Sequence, residues 1–175
     1  IGIHFLNTLQ AGWVIRSEFN FKYVRDFAYG IKFDGVFSWN KADIGNITDC
    51  WTGMYFDTYL STGNYQVWNN QNTFVGGEIK FQTSTLPVTG STMLHLNGNG
   101  NTFLGFCLEG NNYEWCVTGD GHANQFINTR LENVGERKIN LLNTLLVGYP
   151  NVWSGYNLKR EQFTDAARLT NSILG

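Results

Sequence analysis

The chain has 175 residues, with 12 Lys and Arg against 14 Asp and Glu and a formal net charge of -2, which suits one domain around one core. No basic run supplies the positive stripe that a nucleic-acid partner requires, so that class is excluded. No apolar stretch approaches the roughly 20 residues of a membrane helix, and no basic-then-apolar start marks a signal peptide, so neither membrane insertion nor a leader is expected.

The chain carries 21 Asn and 20 Gly against 6 Ala, with 15% aromatic and 15% charged residues. Helices are poorly supplied, and aromatic and Thr-rich runs broken by Asn/Gly turns predict an all-β protein. Cys50, Cys107 and Cys116 are odd in number and have neither metal-ligand spacing nor a suitably placed His, so free buried thiols are expected.

In chain order, residues 1–5 read as a strand in mid-pattern, which predicts that earlier coils precede it. The clearest repeat sets Val24-Arg-Asp-Phe-Ala-Tyr-Gly-Ile-Lys-Phe-Asp34 against Ile47-Thr-Asp-Cys-Trp-Thr-Gly-Met-Tyr-Phe-Asp57, and Gly12-Trp-Val-Ile-Arg16 joins the same register. A second group is Asn72-Thr-Phe-Val-Gly76, Asn101-Thr-Phe-Leu-Gly105 and Asn124-Gln-Phe-Ile-Asn128. Overlaid, the two groups give one apolar column of Phe5, Val24, Ile47, Phe74, Phe103, Phe126 and Leu146. Two positions later comes a corner column of Asn7, Asp26, Asp49, Gly76, Gly105, Asn128 and Gly148, all residue types that enter left-handed backbone readily.

Such a repeat predicts a right-handed parallel β-helix of about seven coils over residues 1–158. A jelly roll is the alternative, with Asn97-Gly98 as one of its hairpin turns; leucine-rich repeats lack their leucine spacing here. Segments 38–43, 58–70 and 83–92 are the largest departures from a minimal coil. Residues 159–175 form a separate segment in which Phe163, Ala166, Ala167, Leu169, Ile173 and Leu174 predict a short amphipathic helix, serving as a cap or linker.

The segments Asn72-Thr-Phe-Val-Gly-Gly-Glu78, Asn101-Thr-Phe-Leu-Gly-Phe-Cys-Leu-Glu109 and Asn124-Gln-Phe-Ile-Asn-Thr-Arg-Leu-Glu132 resemble coils of pectate-lyase-like β-helix proteins, in particular bacteriophage tailspikes and pre-neck appendages. The resemblance covers residues 3–150. It implies binding, and cleavage by a glycoside hydrolase or lyase, of a bacterial surface polysaccharide during host attachment. It also implies a virion location at the host surface, other tail proteins as partners and a homotrimer, which the apolar exterior expected of this sparsely charged chain supports. A non-catalytic adhesin and a structural stalk are the alternatives.

Strict alternation turns Ile31, Phe33, Met54 and Phe56 inward and Lys32, Asp34, Tyr55 and Asp57 outward. Asp34 and Asp57, one coil apart, are the candidate acid/base pair, since glycoside hydrolysis uses two carboxyl groups. Arg16, Lys32 and Tyr55 are candidate substrate contacts, and the alternative is a solvated face in which Arg16 pairs with Asp34. Glu109 and Glu132 form a second stacked carboxylate pair, with Glu78 shifted in register and Arg130 neutralising the ladder in the bland reading. Asp26 and Asp49 belong to the turns. Trp39, Trp68 and Trp115, with Trp153, Tyr59, Tyr65, Tyr113 and Tyr149, are expected in connections as sugar-stacking rings or as contacts between chains. His4, His95 and His122 are scattered and read as surface or loop residues. No cofactor and no metal is expected, Asp120 and the 97–101 loop giving no calcium signature.

Overall fold

The structure, a computed structural model, describes residues 1–6, 13–57, 69–81, 88–110, 112–142 and 150–173. The described chain is mostly β-strand. Strands β1 (Ile3–Leu6), β4 (Tyr29–Asp34), β7 (Thr52–Asp57), β9 (Val88–Leu96), β12 (Tyr113–Gly119) and β14 (Ile139–Leu141) form a six-stranded sheet in that order. A second sheet runs from β3 (Glu18–Arg25) through β6 (Lys41–Thr48), β8 (Thr73–Lys80), β10 (Thr102–Leu104) with β11 (Cys107–Glu109), β13 (Gln125–Glu132) and β15 (Asn151–Tyr156) to β16 (Asn171–Ile173). β2 (Trp13–Ile15) and β5 (Val36–Ser38) make a third, two-stranded sheet. The chain passes between sheets and returns to each one strand further along.

Every pairing between described strands is parallel. The jelly-roll alternative requires antiparallel hairpins, and the ladders leave no place for one at Asn97-Gly98.

The apolar residues stack in separate files, which corrects the single column expected from the sequence. Phe5, Phe33, Phe56 and Leu96 are in register in the six-stranded sheet. Phe19, Ala42, Phe74, Phe103, Phe126 and Trp153 are in register in the second sheet. Val24, Ile47, Ile79, Leu108 and Leu131 form a third file in that same sheet. The single column merged these files because two of them are followed, two residues later, by a left-handed corner. Gly76, Gly105 and Asn128 have φ of 68°, 70° and 52°, while Asp26 and Asp49 have φ of 63° and 53°. The turn role of Asp26 and Asp49 therefore holds, at a different corner from the glycines. Leu146, Asn7 and Gly148 lie outside the described residues.

The core lies between the two large sheets. Phe56 meets Phe74 edge-on at 5.3 Å between ring centroids, and Phe103 stacks on Phe126 at 4.9 Å, which in turn stacks on Trp153 at 3.7 Å. Trp153 and Tyr113, expected among the connections, are buried core residues instead. Aromatic pairs in such geometry contribute about 0.5–1.5 kcal/mol beyond the burial of their area.

An asparagine ladder runs beside this stack. The Oδ1 of Asn72 accepts both the backbone N–H and the side-chain Nδ2 of Asn40, and the same two bonds recur from Asn72 to Asn101, Asn101 to Asn124 and Asn124 to Asn151. Each Nδ2 also donates to a backbone carbonyl, those of Val14, Phe37, Asn69, Gly98 and Gly121 in turn. All five side chains are buried, and the ladder meets their hydrogen-bonding demand at a bend where the backbone leaves sheet geometry.

The C-terminal segment differs from the helix expected across residues 159–174. A 3-10 turn at Arg160–Gln162 precedes α1 (Asp165–Thr170), and β16 then rejoins the second sheet beside β15. Phe163 and Ala167 are buried, with Phe163 bridging to Ile139. Segment 38–43, expected as a long connection, is a two-residue corner, because Val36–Ser38 and Lys41–Thr48 are strands on either side of it.

Candidate functional site

The outward face of the six-stranded sheet gathers the densest polar and aromatic group. Lys32, Tyr55 and His95 are consecutive register partners in β4, β7 and β9, and His4 of β1 precedes Lys32 in the same file. The Asp34 Oδ2 accepts from Lys32 Nζ at 2.6 Å and lies 2.8 Å from His4 Nε2. The Lys32 ammonium is 5.4 Å from the centroids of both the Tyr29 and Tyr55 rings, a distance at which the ring quadrupoles attract it. Tyr55 lies parallel to His95 at 4.6 Å. The Asn97 amide sits 3.0 Å from His95 Nε2 and donates to it when the ring is neutral; burial lowers the His95 pKa below its ordinary value, which favours that neutral form.

Asp34 is only 16% exposed, and among the described residues its buried Oδ1 has no hydrogen-bond partner. The backbone of Asp57 is the register partner of Asp34, as the sequence repeat predicts; the Asp57 side chain lies outside the described residues.

Arg16 does not join this face, which corrects the expected register. The strand beside β4 is β1, so His4 rather than Val14 stands next to Lys32, and Leu6 next to Asp34. The glycine that matches Gly30 and Gly53 is Gly2, one residue before the β1–β4 ladder. Two segments near the start share the glycine-plus-alternation pattern, and only register distinguishes them. Gly12 lies outside the described residues.

Arg16 instead occupies a corner between sheets. Its backbone N–H donates to Ser38 O at 3.4 Å, that of Trp39 to Asn70 O and that of Gln71 to Asn99 O, each at 3.1 Å. All three residues have left-handed backbone, with φ of 52°, 57° and 56°. Trp39 is 54% exposed. Trp115, expected in a connection, belongs to β12 in register with Thr92 and is half-buried. Trp68, Tyr59, Tyr65 and Tyr149 lie outside the described residues.

The other carboxylate pair is in register as the sequence predicts, Glu109 beside Glu132, with Glu78 in the neighbouring file beside Cys107 and Arg130. Lys80 is the partner of Glu109 on its other side. Glu78 pairs with Lys80 and Glu132 with Arg130, both at 2.7 Å, and these hydrogen bonds raise the pKa of each cation. This face is a self-neutralising charge ladder, and exposed pairs of that kind contribute little stability. Cys50 and Cys116 are buried and Cys107 partly so, all as free thiols, and burial pushes each thiol pKa up.

The sequence reading missed His4, Tyr29 and His95. His4 and His95 lie in strands, His4 exposed at the surface as expected and His95 half-buried, and the signal for both is their place in an apolar/polar alternation. The chain matches no family model, no curated protein and no solved structure.

Proposed function

We propose that this chain is a segment of right-handed parallel β-helix, of the phage tailspike or appendage type, that binds a bacterial surface polysaccharide on the outward face of its six-stranded sheet. The exclusively parallel pairing of the described strands, the return of the chain to each sheet one strand further along and the buried asparagine ladder support the β-helix. The observation that carries the binding reading is the polar and aromatic cluster on that face, in which the Asp34 Oδ2 is held by Lys32 and His4 beside the Tyr29, Tyr55 and His95 rings. In this reading sugar hydroxyls engage the Lys32, Asp34 and His4 cluster, with the edges of Tyr29, Tyr55 and His95 around them. The ring faces of Tyr55 and His95 cover each other, so this face recognises hydroxyl groups rather than stacking on sugar planes. In this reading the protein acts outside the bacterial cell as part of a virion, in a side-by-side trimer to which the exposed register neighbours Leu104 and Ile127 lend an apolar contact.

The test is a panel of capsular, lipopolysaccharide and wall-teichoic polymers, followed by retention on each polymer and by polymer size. Retention by the wild type and its loss in Asp34→Asn, with an unchanged melting temperature, supports the reading. Chain shortening that disappears in Asp57→Asn extends it to hydrolysis or lyase chemistry with Asp34 and Asp57 as the carboxylate pair. Retention by no polymer overturns it and leaves the structural stalk.

A further inference from the structure

The corner that carries Arg16 and Trp39 has features that the six-stranded face does not explain. Left-handed backbone is strained for large side chains, and the other left-handed corners among the described residues use Asp, Asn or Gly, apart from Arg137 with φ of 54°. Arg16, Trp39 and Gln71 occupy it in three successive circuits and are all exposed. Ladder spacing sets neighbouring backbones about 4.8 Å apart. Further along the same corner come Gly100 and Ala123, with φ of 63° and 55°, so the row of large side chains ends in small residues. Among the described residues neither the Arg16 guanidinium nor the Trp39 indole has a hydrogen bond, ion pair or ring contact.

Directly after this corner, β3 and β6 pair Glu18 with Lys41 and Asn20 with Asp43. These four residues and Phe19 line a hollow of about 220 Å³. Among the described residues Glu18, Lys41 and Asp43 form no ion pair. Elsewhere on the molecule neighbouring charges do pair, as Glu78 does with Lys80 and Arg130 with Glu132.

We infer that this corner and hollow form a second saccharide subsite, specific for a sugar ring that bears a carboxylate. The exposed Trp39 face stacks on the sugar's C–H face. The Arg16 fork receives the carboxylate, for which guanidinium geometry is suited. Asn20, Glu18 and Asp43 take ring hydroxyls in the hollow, and Lys41 adds a second positive charge. The inference rests on the reading of the protein as a polysaccharide binder and names the kind of residue in that polymer.

The experiment measures binding of the whole chain to polygalacturonate, alginate and hyaluronan, and to the carboxyl-reduced form of each, by titration calorimetry. The variants are Trp39→Gly, Arg16→Gln and Tyr55→Ala. Trp39→Gly keeps the left-handed corner without a Cβ, so its fold is retained. The expected result is tighter binding to at least one acidic polymer than to its reduced form, and a loss of about tenfold in Trp39→Gly. Arg16→Gln should remove the preference for the acidic form while sparing affinity for the reduced one. Full affinity in both corner variants, with loss in Tyr55→Ala, overturns the second subsite and leaves the six-stranded face as the binding site. Binding to reduced polymers only also overturns it. Binding to none of the six overturns the subsite, and the separate polymer panel then decides whether the binding reading itself survives.

Discussion

The Oδ1 of Asn124 accepts two hydrogen bonds from Asn101, one from its backbone N–H at 2.9 Å and one from its Nδ2 at 3.2 Å. Asn101 is at once donor to the next rung and acceptor from Asn72, so neither side chain can be removed without stranding its neighbour. Asn101→Ala leaves the backbone N–H and the inward Nδ2 hydrogen of Asn72 without their acceptor, and removes one of the two donors to Asn69 O, which keeps the Asn99 N–H. With unmade buried hydrogen bonds costing about 1–3 kcal/mol each, the variant is expected to lose about 2 kcal/mol or more. Asn101→Asp keeps the acceptor but buries a charge at a site with no exposure, and is expected to cost more still. Urea unfolding, read as a midpoint shift at constant slope, measures both.

Phe103 and Leu104 are adjacent in β10 and point to opposite sides of the sheet. Phe103 is fully buried between Phe74 and Phe126, whereas Leu104 is 39% exposed. Phe103→Ala is therefore expected to cost about 3–5 kcal/mol. Leu104→Ala should stay within about 0.5 kcal/mol. Comparable losses at both positions in urea unfolding would mean that the strand's facing is reversed.

The strand character, the inward facing of Ile31, Phe33, Met54 and Phe56, and the register of Asp34 with Asp57 and of Glu109 with Glu132 were legible because a period of two and a repeat of 23 residues fix them. The asparagine ladder was legible only in part: Asn72, Asn101 and Asn124 open the repeat segments, whereas Asn40 and Asn151, which stand likewise two residues before Ala42 and Trp153 of the same file, were not aligned with them. The hydrogen-bonding meaning of that spacing was not read from the sequence. What was not legible is which strand lies beside which when two candidates share a pattern. Residues 2–6 and 12–16 both begin with glycine and alternate, and only the ladder shows that His4 meets Lys32 while Arg16 meets the corner. Trp153 was misplaced because an aromatic ring suits a connection or a core equally well by composition.

Gly30 and Gly105 test two different reasons for glycine. A Cβ on Gly30 would stand 2.6 Å from Gly53 O and 2.7 Å from an Ile47 methyl, so the obstacle there is backbone and core. Gly30→Ala is expected to cost about 2 kcal/mol or more. Gly105 has φ of 70° and open space around the missing Cβ, so Gly105→Ala meets only the left-handed penalty of about 1 kcal/mol. Gly105→Asn should recover part of that loss, since Asn128 occupies the equivalent corner at φ 52°, whereas Gly30→Asn should be worse than Gly30→Ala. Thermal and urea unfolding of the four variants gives the order.

His95 makes stability depend on pH with a defined sign. Burial lowers its pKa in the folded protein from the ordinary 6.5, and the Asn97 amide donates to Nε2 of the neutral ring. In the unfolded chain the ring takes up a proton near the ordinary value, while the folded protein resists it. The contribution is therefore fully present above pH 6.5 and is lost as pH falls from there towards the lowered folded value, below which it changes no further. His95→Gln removes this titration and leaves the other ionisable groups in place, so the difference between the two proteins isolates it. Urea midpoints measured from pH 8 to pH 5 should fall more steeply for the wild type than for His95→Gln over the acidic half of that range. Parallel curves would mean that the ring charges as readily in the fold as outside it, and that its stacking on Tyr55 does not exclude the imidazolium.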